Sequence, residues 1–159
     1  MKKNKLTMAV AAGIAGVAGM ANAAQYVNPE GTGQVLIYPY YSVNNDLNTL
    51  YSVVNTTADT KAVKVRFLEG DNTIEVLDFN VYLSAFDVWT GVLVPSLSSI
   101  GSHTGENTAT HITTDTSCAP ALRKAGQEFL PFAIDANQAR FGFVNADMAR
   151  STDGHFEVL

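Results

Sequence analysis

The strongest constraint on the fold is an alternation of apolar and polar side chains with a period of two. Val63, Val65 and Phe67 would lie on one side of a strand, and Lys64 and Arg66 on the other. A strand of this kind gives a sheet one dry face and one wet face. The pattern therefore predicts an antiparallel sheet that packs on a core through one of its faces.

The same period continues on both sides of this segment. Strands are predicted at 35–41, 50–55, 62–68, 75–83, 87–94, 140–144 and 155–159. Only short turns join those between residues 33 and 94, which leaves no room for the helical crossovers of a parallel sheet. We therefore predict an all-β, antiparallel β-sandwich without internal repeats. Its core should include Val63, Val65, Phe67, Leu77, Phe79, Val81 and Leu83, with Lys64, Arg66 and Asn80 more exposed.

Polar residues interrupt the strand pattern after Pro95, which is expected to end a strand. The stretch 96–115 is rich in Ser, Thr, Gly and Asn, which predicts one long polar loop with at most a short strand at 108–113. One or two helical turns are expected at 120–125, between Ser117 and Gly126.

The N-terminus has the three parts of a cleavable signal peptide. Three lysines precede an uncharged Ala- and Gly-rich stretch at 6–19, and small residues at 21 and 23 form a cleavage site. We predict removal of residues 1–23 and a mature N-terminus at Ala24. This stretch is shorter than the ~20 apolar residues of a spanning helix, and no later segment is long and apolar enough either.

The predicted mature chain, 24–159, has 136 residues and the length of one domain. It has seven Lys and Arg against 15 Asp and Glu, a net charge of −8. An acidic chain offers no counter-charge to phosphate backbones, so nucleic acid is not an expected partner. The apolar end of the last predicted strand suggests the N-terminal part of a longer protein; the alternative is a short protein that ends on that strand.

Cys118 is the only cysteine in the sequence. An odd cysteine in an oxidising compartment is free or paired with a cysteine of another segment or chain. The favoured expectation is a disulfide to a cysteine beyond residue 159.

Two stretches resemble known exported proteins. The pattern from Leu50 to Leu93, with Val-Val-Asn-Thr-Thr, Val-x-Val-x-Phe and Asp-Val-Trp, resembles an immunoglobulin-like sandwich module of bacterial surface proteins. The segment Gly33 to Tyr41, together with Val63 to Trp89, resembles uncharacterised exported proteins of Gram-negative bacteria, which are longer than this chain. The resemblance implies an immunoglobulin-like β-sandwich and export, and it brings no activity or catalytic residues.

Metal-ligating residue types cluster in the polar stretch. His103, Glu106, His111, Asp115 and Cys118 lie within 16 residues, but their spacing matches no zinc or copper motif. Solvated loop residues are the expected alternative, so we predict no metal site.

Two further patterns resemble functional sites but are typical of plain turns and surfaces. Asn44, Asp46 and Asn48 alternate like a calcium loop, but only one is charged and no bidentate Glu follows. No serine lies in a Gly-x-Ser-x-Gly elbow, and Cys118 has no nucleophile signature. We therefore expect no catalytic residues, no cofactor and no enzymatic activity.

Aromatic residues could serve the core or a contact surface. The residues concerned are Tyr38, Tyr40, Tyr41, Tyr51, Tyr82 and Trp89. Aromatic side chains on alternating strands favour core positions, and exposed ones favour a protein or glycan surface.

The first strand, 34–41, is apolar, and no charge occurs from Gln34 to Asn45. Pro39 cannot donate a ladder hydrogen bond, which suits an edge strand or a bulge. Two outcomes remain open: pairing with another chain, or pairing within its own sheet.

These features together favour an exported, non-enzymatic module of the periplasm, outer surface or medium. It would act through contacts with a protein partner or with other domains of the same chain. The alternative is an accessory module of a hydrolase or carbohydrate-acting enzyme whose catalytic part lies beyond residue 159.

Overall fold

The structure is a computed structural model that describes residues 27–159. The predicted signal peptide and its cleavage site lie outside the described residues. Residues 27–33 belong to a short N-terminal unit in which the Asn28 amide donates to the Thr32 carbonyl at 3.0 Å. The second unit, Gln34–Leu159, contains all of the strands described below.

The second unit is built from eight strands and one short helix. The elements are β1 (Leu36–Ser42), β2 (Thr49–Val54), β3 (Lys61–Glu69), β4 (Glu75–Leu83), β5 (Val88–Leu97), β6 (Asn107–Ile112), β7 (Gln127–Glu128), α1 (Phe132–Phe141) and β8 (Asp153–Val158). The strands form two antiparallel sheets, β1-β8-β3-β4 and β2-β5-β6-β7. This architecture agrees with the predicted all-β sandwich.

The predicted core face of β3 and β4 is confirmed. Val65 pairs with Phe79, and Phe67 pairs with Leu77, and all four side chains are buried. Val63 is only half-buried. It packs against the edge of the core.

β1 is an edge strand, as Pro39 predicted, and it pairs within the chain with β8. The register shifts between Tyr38 and Tyr41, so Pro39 lies in a bulge. A proline and a bulge are devices that blunt an edge strand against further pairing. The intramolecular alternative therefore describes this strand.

The strand predicted at 155–159 is confirmed as β8, which lies between β1 and β3. Phe156 is buried and stacks on Tyr38 with ring centroids 4.2 Å apart. The backbone of Leu159 also exchanges hydrogen bonds with Lys64. The last residues of the chain are thus a central part of the first sheet.

The strand predicted at 140–144 is wrong. Arg140 and Phe141 are the last residues of α1, and Gly142 ends the helix with a left-handed conformation at φ 66°. Alanines and other good helix formers fill the preceding residues, and a glycine just past a helix is a frequent C-terminal signal. Phe141 and Phe143 suggested a strand because aromatic residues are enriched in β-strands.

The polar stretch 96–115 is more ordered than the predicted long loop, and the short strand considered at 108–113 is present as β6. β5 continues through Pro95 to Leu97 and forms a hairpin with β6, so the connection is only 98–106. Pro95 pairs with Ala109 beyond Leu93, where the flanking strand β2 has ended. The missing N–H of Pro95 therefore does not interrupt a ladder with β2.

The helical turns predicted at 120–125 are also wrong, because the structure has isolated hydrogen-bonded turns there.

The next segment, around Phe129 and Leu130, closes one side of the core. The Phe129 N–H donates to Ala109 of β6, and the Leu130 N–H donates to Val76 of β4. No helix within residues 27–159 is long and apolar enough to cross a membrane.

Candidate functional site

The residues considered as metal ligands do not come together. His111 is fully buried in the core, Cys118 is exposed, and Asp115 folds back on the Ser117 N–H at 2.8 Å. His103 and Glu106 form a separate pair in the turn between β5 and β6. Among residues 27–159, no three His, Cys, Asp or Glu side chains form a group that could hold a metal ion.

His103 is held between two carboxylates. Its Nδ1 lies 2.7 Å from Glu106 Oε2, and its Nε2 lies 2.9 Å from Asp135 Oδ1 of α1. Glu106 Oε2 also accepts the Met148 N–H at 2.7 Å. Only an imidazolium donates from both ring nitrogens, so the arrangement favours the charged histidine. This cluster ties the β5–β6 turn to α1 and to the segment before β8.

The pKa values in this cluster shift as the geometry requires. Hydrogen bonds to Asp135 and then to Glu106 raise the pKa of His103 above its ordinary value. Burial alone would raise the pKa of Glu106, but hydrogen bonds from Met148 and His103 outweigh it and lower that pKa. Both ring nitrogens of His103 are already hydrogen-bonded to carboxylates. The cluster therefore stabilises the packing of the β5–β6 turn against α1.

His111 belongs to a buried polar chain at the centre of the sandwich. Trp89 Nε1 donates to Tyr51 Oη at 3.0 Å, and Tyr51 Oη lies 2.8 Å from His111 Nε2. The Tyr51 hydroxyl accepts the Trp89 N–H, so it can donate its own proton to His111 Nε2. His111 Nδ1 has no partner within the described part of the chain.

Gly91 makes room for this chain of contacts. A Cβ on Gly91 would lie 2.6 Å from both His111 Nε2 and a ring carbon of Tyr51. Burial lowers the pKa of His111 to about 4, and burial also raises the pKa of Tyr51 above its ordinary value. Both groups are therefore neutral at pH 7, and they are enclosed in the core.

A second buried polar contact fixes the turn between β3 and β4. The Glu69 carboxylate accepts hydrogen bonds from Nε and Nη2 of Arg150, each at 3.1 Å. It also accepts the backbone N–H groups of Asp71, Asn72 and Ile74. Burial would raise the pKa of Glu69, but these hydrogen bonds lower it. Every one of these donors is a group of this chain, so the Glu69–Arg150 ion pair stabilises the fold.

The residues weighed as a calcium loop form the turn between β1 and β2. Asn44 and Asp46 lie in a short 3-10 turn, in which Asn45 and Asp46 have positive φ angles of 56° and 59°. The turn borders a small cavity of about 250 Å³. Asp46 is the only charged residue that lines it.

The aromatic residues divide between the two predicted roles. Tyr41, Tyr51 and Trp89 are buried, and Tyr38 packs against the core. Tyr40 and Tyr82 are exposed. The exposed pair lies on two different edge strands and forms no common surface with the other aromatics.

The outer face of the first sheet is charged. Arg66 donates to Glu75 at 2.8 Å and to Glu157 at 2.7 Å, and Lys64 forms an ion pair with Asp78. These side chains lie on three neighbouring strands of the sheet, β4, β3 and β8. A face covered with paired charges is an ordinary solvated surface.

The outer face of the second sheet is different, and we call it the uncharged face. It consists of the outward side chains of β2, β5 and β6: Leu50, Ser52, Val54, Val88, Thr90, Val92, Val94, Thr110 and Ile112. Their outward direction follows from the buried residues that alternate with them. Glu128 of β7 is the only charged residue in the four strands of this sheet.

Apolar residues on the uncharged face form rows across the strands. Leu50 pairs with Val92, which pairs with Ile112, and Val54 pairs with Val88. The exposed fractions are 78% for Leu50, 50% for Val54 and 43% for Val88. A shallow groove of about 480 Å³ crosses the first of these rows.

The signal for this face was present in the sequence. No charge occurs from Val88 to Leu97, and the outward positions of this strand are Val or Thr before Ser96. The strand therefore carries apolar residues on both of its faces. The pairing of β5 with β2 and β6 then gathers the outward residues into one surface.

No protein-family model, curated protein or solved structure matches this chain. The geometry of the described residues is therefore the basis for the function proposed below.

Proposed function

We propose that this chain is an exported, non-enzymatic interaction module that binds a protein through its uncharged face. The observation that carries the proposal is the contrast between the two sheets. One outer face has paired charges on neighbouring strands, whereas the other exposes apolar rows and has no charge on β2, β5 or β6.

The physical reason is the cost of removing each face from water. Burial of apolar surface is favourable by about 25 cal/mol per Å², whereas burial of a charge is costly unless it is paired. Leu50, Val54 and Val88 can be covered without burying a charge with them. The hydroxyl groups of Ser52 and Thr90 lie between these rows and can hydrogen-bond with a partner.

Export and an extracytoplasmic location are part of the proposal. They rest on the signal-peptide pattern at 1–23 and on the resemblance to exported proteins of Gram-negative bacteria. Cys118 is exposed and would be accessible to a cysteine outside this chain.

The relation to immunoglobulin-like modules is proposed at the level of architecture. In immunoglobulin domains the first strand pairs with the second, in the order A-B-E-D. Here the first strand pairs with the last. We therefore propose a sandwich module of similar layering and use, with its own strand order.

Site-specific photo-cross-linking in the producing cell tests the proposal. A photoreactive residue at Thr90, which is exposed on β5 in the uncharged face, should give a cross-linked protein adduct that mass spectrometry identifies. The matched control places the same residue at Asn80, exposed on β4 of the charged sheet. Equal labelling at both positions, or no adduct from Thr90, would contradict the proposal.

A further inference from the structure

Helix α1 is held to the rest of the molecule by few contacts. Ile134 is its only fully buried side chain, and this residue packs into the core. Among the described residues, the only side-chain hydrogen bond between α1 and another element joins Asp135 to His103. An isolated helix of this length is marginal in water, so α1 stays formed only while it is packed. Local opening of a protein starts from elements that bury little apolar surface.

The two carboxylates around His103 are not held equally. Glu106 lies on the same turn as His103, and its Oε2 also accepts the Met148 N–H at 2.7 Å. The Asp135 side chain is half-exposed, and within the described part of the chain His103 is its only hydrogen-bond partner. Glu106 is therefore fixed by the fold, whereas Asp135 can exchange the histidine for water.

The charge of His103 decides whether Asp135 is attracted or repelled. An imidazolium donates from both ring nitrogens, whereas a neutral imidazole has one N–H and one lone pair. Because Glu106 stays 2.7 Å from Nδ1, the remaining proton of a neutral His103 is expected on Nδ1. Nε2 then directs its lone pair at Asp135 Oδ1, 2.9 Å away. The contact that holds α1 becomes repulsive.

We infer that α1 is a pH-sensitive lid on the core, which is closed while His103 is protonated and opens locally when His103 loses its proton. Opening exposes Ile134 and the side of the core that it covers. Protonation of histidines drives conformational changes of this kind. The inference goes beyond the proposed function, because α1 is not part of the uncharged face.

The direction of the response follows from the surroundings of His103. Among the described residues, the charged groups that face its ring are Glu106 on its own turn and Asp135 on α1. Other charged residues of the neighbouring segments have different partners: Glu128 binds Ser99, Asp147 accepts the Ala149 N–H, Arg150 pairs with Glu69, and Arg140 lies over Phe141. The two facing carboxylates raise the pKa of His103 above 6.5. The lid is therefore closed below pH 6.5 and opens as the pH rises through this raised pKa.

Hydrogen exchange of the backbone amides at pH 6 and pH 9, followed by mass spectrometry, tests this inference on the protein recovered after export. Each exchange rate is compared with that of an unstructured chain at the same pH, which gives a protection factor. The protection factor of α1 should fall about tenfold or more between pH 6 and pH 9, as expected for the loss of a hydrogen bond to a charged group. β3 and β4 should be far better protected than α1 at both pH values, because α1 opens without them.

Asp135→Asn is the variant that separates the lid from a purely structural contact. The asparagine oxygen accepts from a protonated His103, and its amide can donate to a neutral one, so no repulsion arises. The side chain is half-exposed, and the variant should stay folded. The protection of its α1 should not change between pH 6 and pH 9. His155→Gln is the matched control, since it removes a histidine of β8 and should keep the wild-type response.

An NMR measurement of the ring nitrogens gives an independent readout, because the proton of His103 should remain on Nδ1 at pH 9. A proton on Nε2 would overturn the inference. It is also overturned if α1 of the wild type is equally protected at both pH values, or if Asp135→Asn loses as much protection as the wild type. Equal protection of α1 and the strands would mean that α1 opens only when the whole molecule unfolds. A lost response in His155→Gln would assign it to a different histidine, and either result excludes the lid.

Discussion

The buried neutral His111 should make the protein lose stability as the pH falls from 6.5 to 4. Its pKa in the folded protein is about 4, below the ordinary value of about 6.5 for an exposed histidine. Between these values the unfolded chain binds a proton that the folded protein does not. The free energy of unfolding therefore decreases with falling pH in this window.

The magnitude follows from the size of the shift. A difference of about 2.5 pH units, at about 1.36 kcal/mol per unit, gives a loss of about 3 kcal/mol at pH 4. That is a large part of the 5–15 kcal/mol by which domains are commonly stable. The penalty arises because His111 is fully buried and its Nδ1 has no partner among the described residues.

Urea unfolding at several pH values between 7 and 4.5 measures this effect. Trp89 is the only tryptophan, and its ring is stacked 6.3 Å from that of His111, so its fluorescence reports on this part of the core. His111→Gln removes the titrating group and leaves an oxygen that can accept from Tyr51. The variant should have a flatter pH dependence than the wild type.

His155→Gln is the control, because His155 lies on β8 outside the core. It should keep the slope of the wild type. The reasoning is refuted if His111→Gln and the wild type lose the same free energy between pH 6.5 and 4.5. It is also refuted if an NMR titration of the folded protein gives His111 a pKa of 6 or higher.

Four further predictions concern other parts of the chain. Because a Cβ on Gly91 would overlap His111 and Tyr51, Gly91→Ala should cost about 1–3 kcal/mol in urea unfolding; an unchanged midpoint would contradict this packing. Phe67→Ala removes a fully buried aromatic and should cost about 3–5 kcal/mol; a cost below about 1 kcal/mol would mean that the core face is misassigned. The raised pKa of His103 gives stability that is fully present below pH 6.5 and lost as the pH rises through its folded pKa. His103→Gln should remove this loss of stability at higher pH. If the free energy of unfolding of the variant changes with pH as that of the wild type does, the stabilising role of His103 is refuted. N-terminal sequencing of exported protein should begin at Ala24, and a retained Met1 would exclude the signal peptide.

Side-chain alternation was sufficient to predict the elements that follow a simple period. The faces of β3 and β4 and the final strand all agree with the sequence pattern. These features depend on which side of one strand a residue occupies, and that side is a local property of the chain. The turn chemistry between the strands is similarly local.

Helix α1 was missed, and β6 was anticipated only as a possible short strand inside a loop, for two different reasons. The aromatic residues at the end of α1 have strand propensity, whereas the helix is favoured by the preceding alanines and by Gly142. β6 is rich in Thr and Ala, and its composition is that of a loop. It becomes a strand because β5 continues past Pro95 and supplies a partner for it.

The polar sites depended on the tertiary structure. His111 has the sequence context of a solvated loop residue, but its burial depends on Tyr51, 60 residues away. His103 meets Asp135 only because α1 packs near the β5–β6 turn. The sequence by itself determined the faces of the regularly alternating strands β3 and β4 and the absence of charge on β2, β5 and β6. The pairing of distant strands decided which of those faces is buried, which is exposed, and which histidines titrate, because burial and hydrogen bonding are properties of the packed chain.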